Sequence, residues 1–239
     1  MSTARRLGQR LTFGGRVPVA VGFLIAATVV ASLVGVVGER NGLPLLRLGL
    51  LEPRAIWRGE LWRLVTWVFF ETEPLGLLFG GLVLFWFGRD VCEAWGERRF
   101  LLAYLGTAAA AGLVASAVAL LVWPSLLAAR WTGFWPAVDA LVVAWSFLFP
   151  FRQILLFFAL PVAGRTLLWV TVGGTVLYAV FYGLRDFLPH LLAEGVMALL
   201  AGTRGPGQWL RRLRLPRFGK RRQFTVIHAE RDPDRRWMN

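Results

Sequence analysis

The sequence predicts an all-α, polytopic membrane protein, a single bundle of six transmembrane helices. Of its 239 residues, 56% are hydrophobic and 17% are charged, a composition too apolar for an ordinary soluble domain. Several windows approach or exceed the roughly 20 apolar residues that a helix needs to cross a bilayer. Basic residues lie mainly outside these windows, and 11 of the 27 follow residue 203. These three observations together define the fold class.

The positions of the charges also indicate which partners to exclude. A formal net charge of +13 could suggest nucleic acid, but the apolar windows carry almost none of it. This distribution is typical of a membrane protein with basic cytoplasmic regions, so we expect no nucleic-acid partner. Cys92 is the one cysteine of the sequence, which excludes an intrachain disulfide. One cysteine and two histidines cannot form a zinc cluster, and we predict no metal and no cofactor.

The amino-terminal part predicts a basic cytoplasmic segment followed by a retained first span. Residues 1–16 contain four arginines and no acidic residue. Residues 17–38 are apolar throughout, which is longer than the 7–15-residue core of a signal peptide. Residues 39–63 are amphipathic and contain glycine and proline, and a connection of this length is usually packed or functional.

The second span is expected at residues 64–87, interrupted near its middle by Glu71, Glu73 and Pro74. Residues 88–99 are rich in charge and predict a turn between the second and third spans.

The remaining spans alternate with shorter connections. They are predicted at residues 100–123, 132–150, 166–184 and 190–202. The third is rich in alanine and glycine, which allow helices to approach closely. The connections are predicted as an exposed loop at 124–131, an interfacial segment at 151–164 and a turn at 185–189.

An even number of spans places both termini on one side of the membrane. The regions that would then be inside hold 20 basic residues and the outside loops hold 7, which favours cytoplasmic termini. Residues 17–202 would form the membrane domain and residues 203–239 a basic cytoplasmic tail. The tail either binds anionic membrane lipids, at about 1 kcal/mol per basic residue, or only fixes the topology. Because arginine outnumbers lysine 26 to 1, we expect a GC-rich bacterial genome and a bacterial inner membrane.

The most specific pattern is TGFWPAVDALVVAWSFLFP at residues 132–150. From Gly133 to its Leu-Phe-Pro end, it resembles the fourth transmembrane helix of the rhomboid family of intramembrane serine proteases. That helix begins Gly-x-Ser-Gly, so the resemblance implies that Trp135 occupies the position of the nucleophile and Pro136 that of the second glycine. An indole has no oxygen with which to attack a carbonyl.

The resemblance extends through most of residues 57–202. A Trp-Arg pair and a threonine within residues 59–66 match the start of the family's second span. Counting from that threonine, the family's three polar positions fall on Glu71, Gly76 and Gly80. The resemblance implies that the last two would help to hold the oxyanion, and a glycine side chain cannot do so.

The sixth span of the family carries the general base in an Ala-His-x-x-Gly-x-x-x-Gly pattern. The resemblance places His190 at the position of the base. Ala193 and Met197 occupy the positions of the close-packing glycines. We expect Met197 to push the helices apart or to repack their contact.

Four ionisable residues lie within or beside predicted spans, where such groups usually face a cavity or a partner: Glu71, Asp139, His190 and Glu194. They could form a re-purposed polar site that handles protons or binds a cation weakly, or they could only satisfy one another's hydrogen bonds. Trp135 could act as a plug or recognition wedge, or as ordinary packing.

These features predict a catalytically inactive rhomboid-like protein, a pseudoprotease that binds transmembrane helices of client proteins. One alternative is an intramembrane hydrolase that uses Glu71, Asp139, His190 and Glu194 without a serine. The other is an active rhomboid serine endopeptidase, which would require a different register at Trp135.

Overall fold

The computed structural model describes residues 17–156 and 160–202. The basic segment predicted at residues 1–16 and the tail predicted at 203–239 lie outside these residues. The described part is mostly helical and contains one pair of short antiparallel strands. Its helices are α1 (Val19–Arg40), α2 (Leu45–Gly49), α3 (Pro53–Ile56), α4 (Arg63–Thr66), α5 (Pro74–Trp95), α6 (Glu97–Leu121), α7 (Trp135–Leu148), α8 (Gly164–Tyr182) and α9 (Leu184–Gly202). Two short 3-10 helices cover Trp67–Phe69 and Pro124–Ala128.

Four of these helices are long and apolar enough to cross a membrane, namely α1, α5, α6 and α8. Helix α7 is apolar but has only 14 residues, and α9 has 19 residues but carries Arg185, Asp186 and Glu194. The six predicted spans therefore correspond to six helices, of which four have the length and composition of a membrane span.

The second span differs from its prediction at both ends. The chain forms α4 and the 3-10 helix, leaves helical structure at residues 70–73, and begins α5 at Pro74. Proline suits the first turn of a helix because the N–H that it lacks would have no partner there, so Pro74 starts this helix and does not interrupt it. The predicted charged turn at 88–99 is also wrong: α5 continues through Trp95, and the break is at Gly96, whose φ is +83°.

The last helix starts earlier than expected. The predicted turn at 185–189 is helical, because α9 begins at Leu184 directly after Gly183 (φ +108°), and Pro189 lies inside it. Pro189 cannot donate a hydrogen bond to the carbonyl of Arg185 four residues earlier. The indole Nε1–H of Trp131 donates to that carbonyl instead, at 3.0 Å.

The loop predicted at 124–131 is partly buried, and Trp131 is one of its buried residues. Leu126 and Ala129 are buried with it, and Leu51 and Trp131 form an isolated β-bridge. One side of the loop is therefore packed against the first long connection and the start of α9, while Pro124, Ser125, Ala128 and Arg130 are exposed as predicted.

The connection between α1 and α4 is packed, as its length indicates. Arg63, which is 6% exposed, holds it from inside. Its Nε donates to Glu60 at 2.6 Å, and its Nη1 donates to the carbonyls of Arg47 at 2.6 Å and Leu50 at 2.9 Å. The buried guanidinium of Arg63 thus ties residues 47–50 of the connection to Glu60, near its end.

Helix α7 occupies the centre of the fold and packs against α5, α6, α8 and α9. Small side chains on α6 and α7 leave room for larger groups from α9. Met197 is 1% exposed and packs in one cluster with Ala111, Ala140 and Ala144. Met197 is therefore accommodated in a buried contact lined by alanines.

Two short strands, β1 (Gln153–Leu156) and β2 (Leu160–Ala163), pair in antiparallel orientation, with Gln153 opposite Ala163. Arg152, which precedes β1, is tied to the bundle through Asp90 on α5. Oδ2 of Asp90 accepts the indole N–H of Trp145 at 2.8 Å and is 2.8 Å from Nη1 of Arg152. Helices α5 and α7 thus fix the point at which β1 begins.

Candidate functional site

The predicted site positions converge where α7 begins, beside the loop that precedes α5. Gly133 (φ +103°) turns the chain into α7, a conformation that favours glycine. Its N–H donates to the carbonyl of Trp67 at 3.3 Å, and the hydroxyl of Thr132 donates to the carbonyl of Phe70 at 2.6 Å. The amino end of α7 is therefore attached to residues 67–73.

Glu71 lies in that loop, before the membrane-spanning helix and not within it. Its Oε1 accepts the backbone N–H groups of Thr72 at 2.9 Å and Glu73 at 3.1 Å, and its own N–H donates to Oγ of Ser32 at 2.8 Å. Burial raises the pKa of the Glu71 carboxyl above its ordinary value, and the two backbone N–H groups oppose that shift. A Cβ at position 133 would lie 3.1 Å from Oε2 of Glu71, so the carboxylate is directly beside the turn into α7.

Two aromatic rings from the start of α7 face two glycines of α5. A Cβ at Gly76 would lie 3.3 Å from Nε1 of Trp135, and a Cβ at Gly80 would overlap the ring of Phe134. Phe134 is 1% exposed, whereas Trp135 is half-buried. Trp135, at the position that the resemblance assigns to the nucleophile, therefore lies beside Gly76, and the ring of Phe134 covers Gly80.

His190 is paired with Asp139. Nδ1 of His190 is 2.7 Å from Oδ2 of Asp139, and the two side chains are 19% and 20% exposed. This contact joins α9 to α7. The imidazole also lies against Phe187, with ring centroids 5.2 Å apart. The carboxylate favours the tautomer with the proton on Nδ1, which leaves Nε2 as a base.

Glu194, one turn further along α9, is in a separate hydrogen-bonded group. Its Oε1 is 2.6 Å from Oγ1 of Thr175 on α8, and the residue is 3% exposed. The four predicted polar residues are therefore brought into one region but not into one network: Asp139 and His190 form a pair, and Glu71 and Glu194 each bond elsewhere.

No serine or threonine hydroxyl of residues 17–156 and 160–202 hydrogen bonds to His190. Ser146 donates to the carbonyl of Val142 at 2.8 Å. It lies eleven residues after Trp135 in the same helix, which corresponds to about 16 Å. Ser146 therefore cannot serve as a nucleophile for this imidazole.

Three residues of this region were not found by sequence reasoning. Ser32 bonds to the loop of Glu71, Thr175 bonds to Glu194, and Phe134 covers Gly80. Ser32 and Thr175 could have been noticed as hydroxyl residues within apolar spans. Nothing in the sequence indicates that Phe134, and not only Trp135, fills the space beside α5.

The helical fold, its apolar helices and its intramembrane polar residues define a polytopic integral membrane protein. Residues 21–199 match the model of the family described as eukaryotic integral membrane protein (DUF1751), and the chain belongs to this family. No curated protein matches the sequence. The family description states a membrane location and no activity. It is a eukaryotic family, which does not fit the bacterial origin and bacterial inner membrane expected from the arginine content.

Proposed function

We propose that the protein is a catalytically silent, rhomboid-like membrane scaffold that binds transmembrane helices of client proteins. The packing of Phe134 and Trp135 against Gly80 and Gly76 carries this proposal. In a protease with this arrangement, that space would hold the nucleophile, the scissile carbonyl and the oxyanion donors. Here two aromatic side chains occupy it.

The remaining groups do not support serine chemistry. Acyl transfer needs a nucleophile, a base within hydrogen-bond reach and donors at the developing oxyanion. Trp135 has no hydroxyl, and Gly76 and Gly80 have no side-chain donor, so only the base, His190, is present. Loss of one oxyanion donor alone typically lowers the rate by about 10²–10³.

The Asp139–His190 pair supports binding of a helix. About one fifth of each side chain is exposed, on a protein whose surroundings are largely lipid. Exposed polar groups within a bilayer favour association with a helix that carries a polar side chain. The pair is reached past Phe187, which itself packs against Tyr178 and Tyr182 with centroid separations of 5.6 and 6.4 Å. These rings offer an apolar surface for the rest of the client helix.

In this proposal α7 and α9 join the four helices that are long and apolar enough to cross a membrane, and together they form a six-span bundle. Both termini are cytoplasmic, and the basic residues after position 203 bind anionic lipid head groups.

Co-reconstitution with synthetic transmembrane helices tests the client-binding proposal. One helix carries a central asparagine and its matched control carries leucine at the same position. A photo-crosslinking amino acid is placed at Tyr178, or at Leu113 on the exposed face of α6 as a control site. We expect the asparagine helix to crosslink from 178 and not from 113, and the Asp139→Asn variant to weaken this crosslink. Equal crosslinking of both helices from both sites would overturn the proposal.

A fluorophosphonate probe, which labels activated serine residues, tests whether the protein lacks serine-protease activity. We expect no labelling of the wild-type protein. Labelling that disappears in His190→Ala would restore the serine-endopeptidase alternative.

The second candidate is an intramembrane hydrolase, and one observation favours it. The 2.7 Å contact between Asp139 and His190 is the carboxylate–imidazole pair with which many hydrolases orient a general base. Nε2 could then activate water, with Glu71 and Glu194 nearby. Turnover of a membrane substrate that is abolished by Asp139→Asn, without fluorophosphonate labelling, would support this candidate over the scaffold.

A further inference from the structure

The hydroxyl of Thr175 has two acceptors within hydrogen-bond distance. Its Oγ1 is 2.6 Å from Oε1 of Glu194 and 3.1 Å from the backbone carbonyl oxygen of Thr171. A hydroxyl has only one proton to donate. If Glu194 were ionised, the carboxylate and the carbonyl would compete for it. If Glu194 is protonated, its O–H donates to Oγ1 and Thr175 donates to Thr171, which satisfies both contacts.

The second carboxyl oxygen of Glu194 also indicates that Glu194 is protonated. Among the described residues, Oε2 of Glu194 is buried without a hydrogen-bond partner, and the whole residue is 3% exposed. An ionised carboxylate in an apolar interior is very costly when it is not fully hydrogen-bonded. A neutral carboxyl whose C=O oxygen has no partner costs much less.

The other two carboxyls of the region have the partners that Glu194 lacks. Oε1 of Glu71 accepts two backbone N–H groups. Asp139 bonds to the imidazole of His190 and keeps a fifth of its side chain exposed. Glu194 therefore differs from both in having a single hydroxyl as its partner.

We propose that Glu194 is a buried proton-binding site that links α8 to α9. In the protonated form the proton lies on Oε1 and is donated to Thr175. When the site releases its proton to water or to a neighbouring base, the Thr175 hydroxyl turns from the Thr171 carbonyl to the carboxylate. The ionised form thus loses one hydrogen bond and gains a buried charge, which weakens the contact between the two helices.

The groups that face this site are few. Helices α6, α7 and α8 pack against α9. The titratable groups that act on Glu194 are Asp139 from α7 and His190 from its own helix, while α8 contributes the hydroxyl of Thr175. Helix α6 contributes Ala111 to the neighbouring cluster. This proposal is independent of client binding and of any catalytic activity.

Dicyclohexylcarbodiimide, an apolar reagent that reacts with protonated carboxyl groups, tests the proposal on the wild-type chain in lipid nanodiscs. Mass spectrometry of the digested protein locates the adduct. We expect it on Glu194, with a yield that falls as the pH is raised, and not on the exposed Glu73. An adduct confined to other carboxyls, or none at any pH, would overturn the proposal.

Infrared spectroscopy provides a second readout that does not depend on reagent access. We expect a protonated-carboxyl C=O band at neutral pH that is absent in Glu194→Gln and retained in Glu71→Gln. In Thr175→Val the band should shift to higher frequency, because the carboxyl loses its hydrogen-bond partner. If the band is removed by Glu71→Gln and not by Glu194→Gln, the protonated carboxyl is Glu71, and the proposal for Glu194 is overturned.

Discussion

The ring of Phe134 lies directly on the backbone of Gly80, so closely that a Cβ at position 80 would overlap it. This contact joins α7 to α5 at the depth of the candidate site. Gly80 therefore does more than lack the polar side chain that the family has at this position. Its missing side chain leaves the space that the ring of Phe134 occupies.

Gly80→Ala should therefore destabilise the bundle. The added methyl group meets a ring that is 1% exposed and cannot move freely, and overpacking of this kind costs about 1–3 kcal/mol. The measurement is thermal unfolding in detergent. Phe134→Leu in the same chain should recover part of the loss.

The matched control is the next residue of the same helix. A Cβ at Gly81 meets nothing within 4 Å, so Gly81→Ala should leave stability unchanged or raise it by up to about 1 kcal/mol. If both alanine variants behave alike, packing against Phe134 is not what the glycine provides.

Ser32→Ala should also destabilise the protein. The hydroxyl of Ser32 donates to the carbonyl of Phe69 at 3.2 Å and accepts the N–H of Glu71 at 2.8 Å. Its removal leaves both backbone groups without this partner in a buried place, at a cost of about 1–3 kcal/mol. Unfolding of Ser125→Ala, at an exposed serine, provides the comparison and should match the wild type. Equal stability of the two variants would contradict this account.

The sequence predicted this region unevenly, for physical reasons. The apolar windows identified the long helices, because lipid requires helices of this kind. A proline inside an apolar window resembles a helix break, so the pattern predicts an interruption at Pro74, although proline equally suits a helix start. The residues around Pro189 predict a turn, because the compensating donor, Trp131, lies far away in the sequence.

The candidate site shows the same limit. The prediction that Glu71, Asp139, His190 and Glu194 could share one polar site is met only by Asp139 and His190, which are in contact. The sequence could not show that Glu71 bonds to its own loop or that Glu194 bonds to a residue of α8. Those outcomes depend on Ser32 and Thr175, which no motif included.

Arg63→Lys should destabilise the first connection almost as much as Arg63→Ala. The planar guanidinium donates from Nε to Glu60 and from Nη1 to two backbone carbonyls, and one ammonium group cannot reproduce that geometry. Because the Arg63 side chain is 7% exposed but that of Glu60 is 32% exposed, we expect a cost below the roughly 3–5 kcal/mol of a fully buried ion pair. The resistance of residues 41–62 to limited proteolysis measures the effect locally.

Arg47→Ala is the control for this change. Arg47 pairs with Glu39 through a side chain that is 67% exposed, and surface pairs contribute at most about 1 kcal/mol. Its backbone carbonyl, which Arg63 uses, is retained in the variant. Proteolysis of Arg47→Ala as rapid as that of Arg63→Ala would show that charge, and not the buried hydrogen bonds, holds the loop.

Asp139 should determine which nitrogen of His190 carries the proton. A carboxylate 2.7 Å from Nδ1 accepts a hydrogen bond and cannot donate one, so the neutral imidazole must carry its proton there. In Asp139→Asn the amide can present its NH₂ group, and a large part of the imidazole should change to the Nε2–H tautomer. Nitrogen NMR shifts of the ring distinguish the two forms.

The sequence contains two histidines, so the experiment is done with His228→Ala as the background, in which every histidine signal belongs to His190. Glu194→Gln should leave the spectrum unchanged, because Glu194 bonds to Thr175 and not to the imidazole. A tautomer that is insensitive to Asp139→Asn would mean that this carboxylate does not orient the ring, and both the binding surface and the hydrolase alternative would lose their central pair.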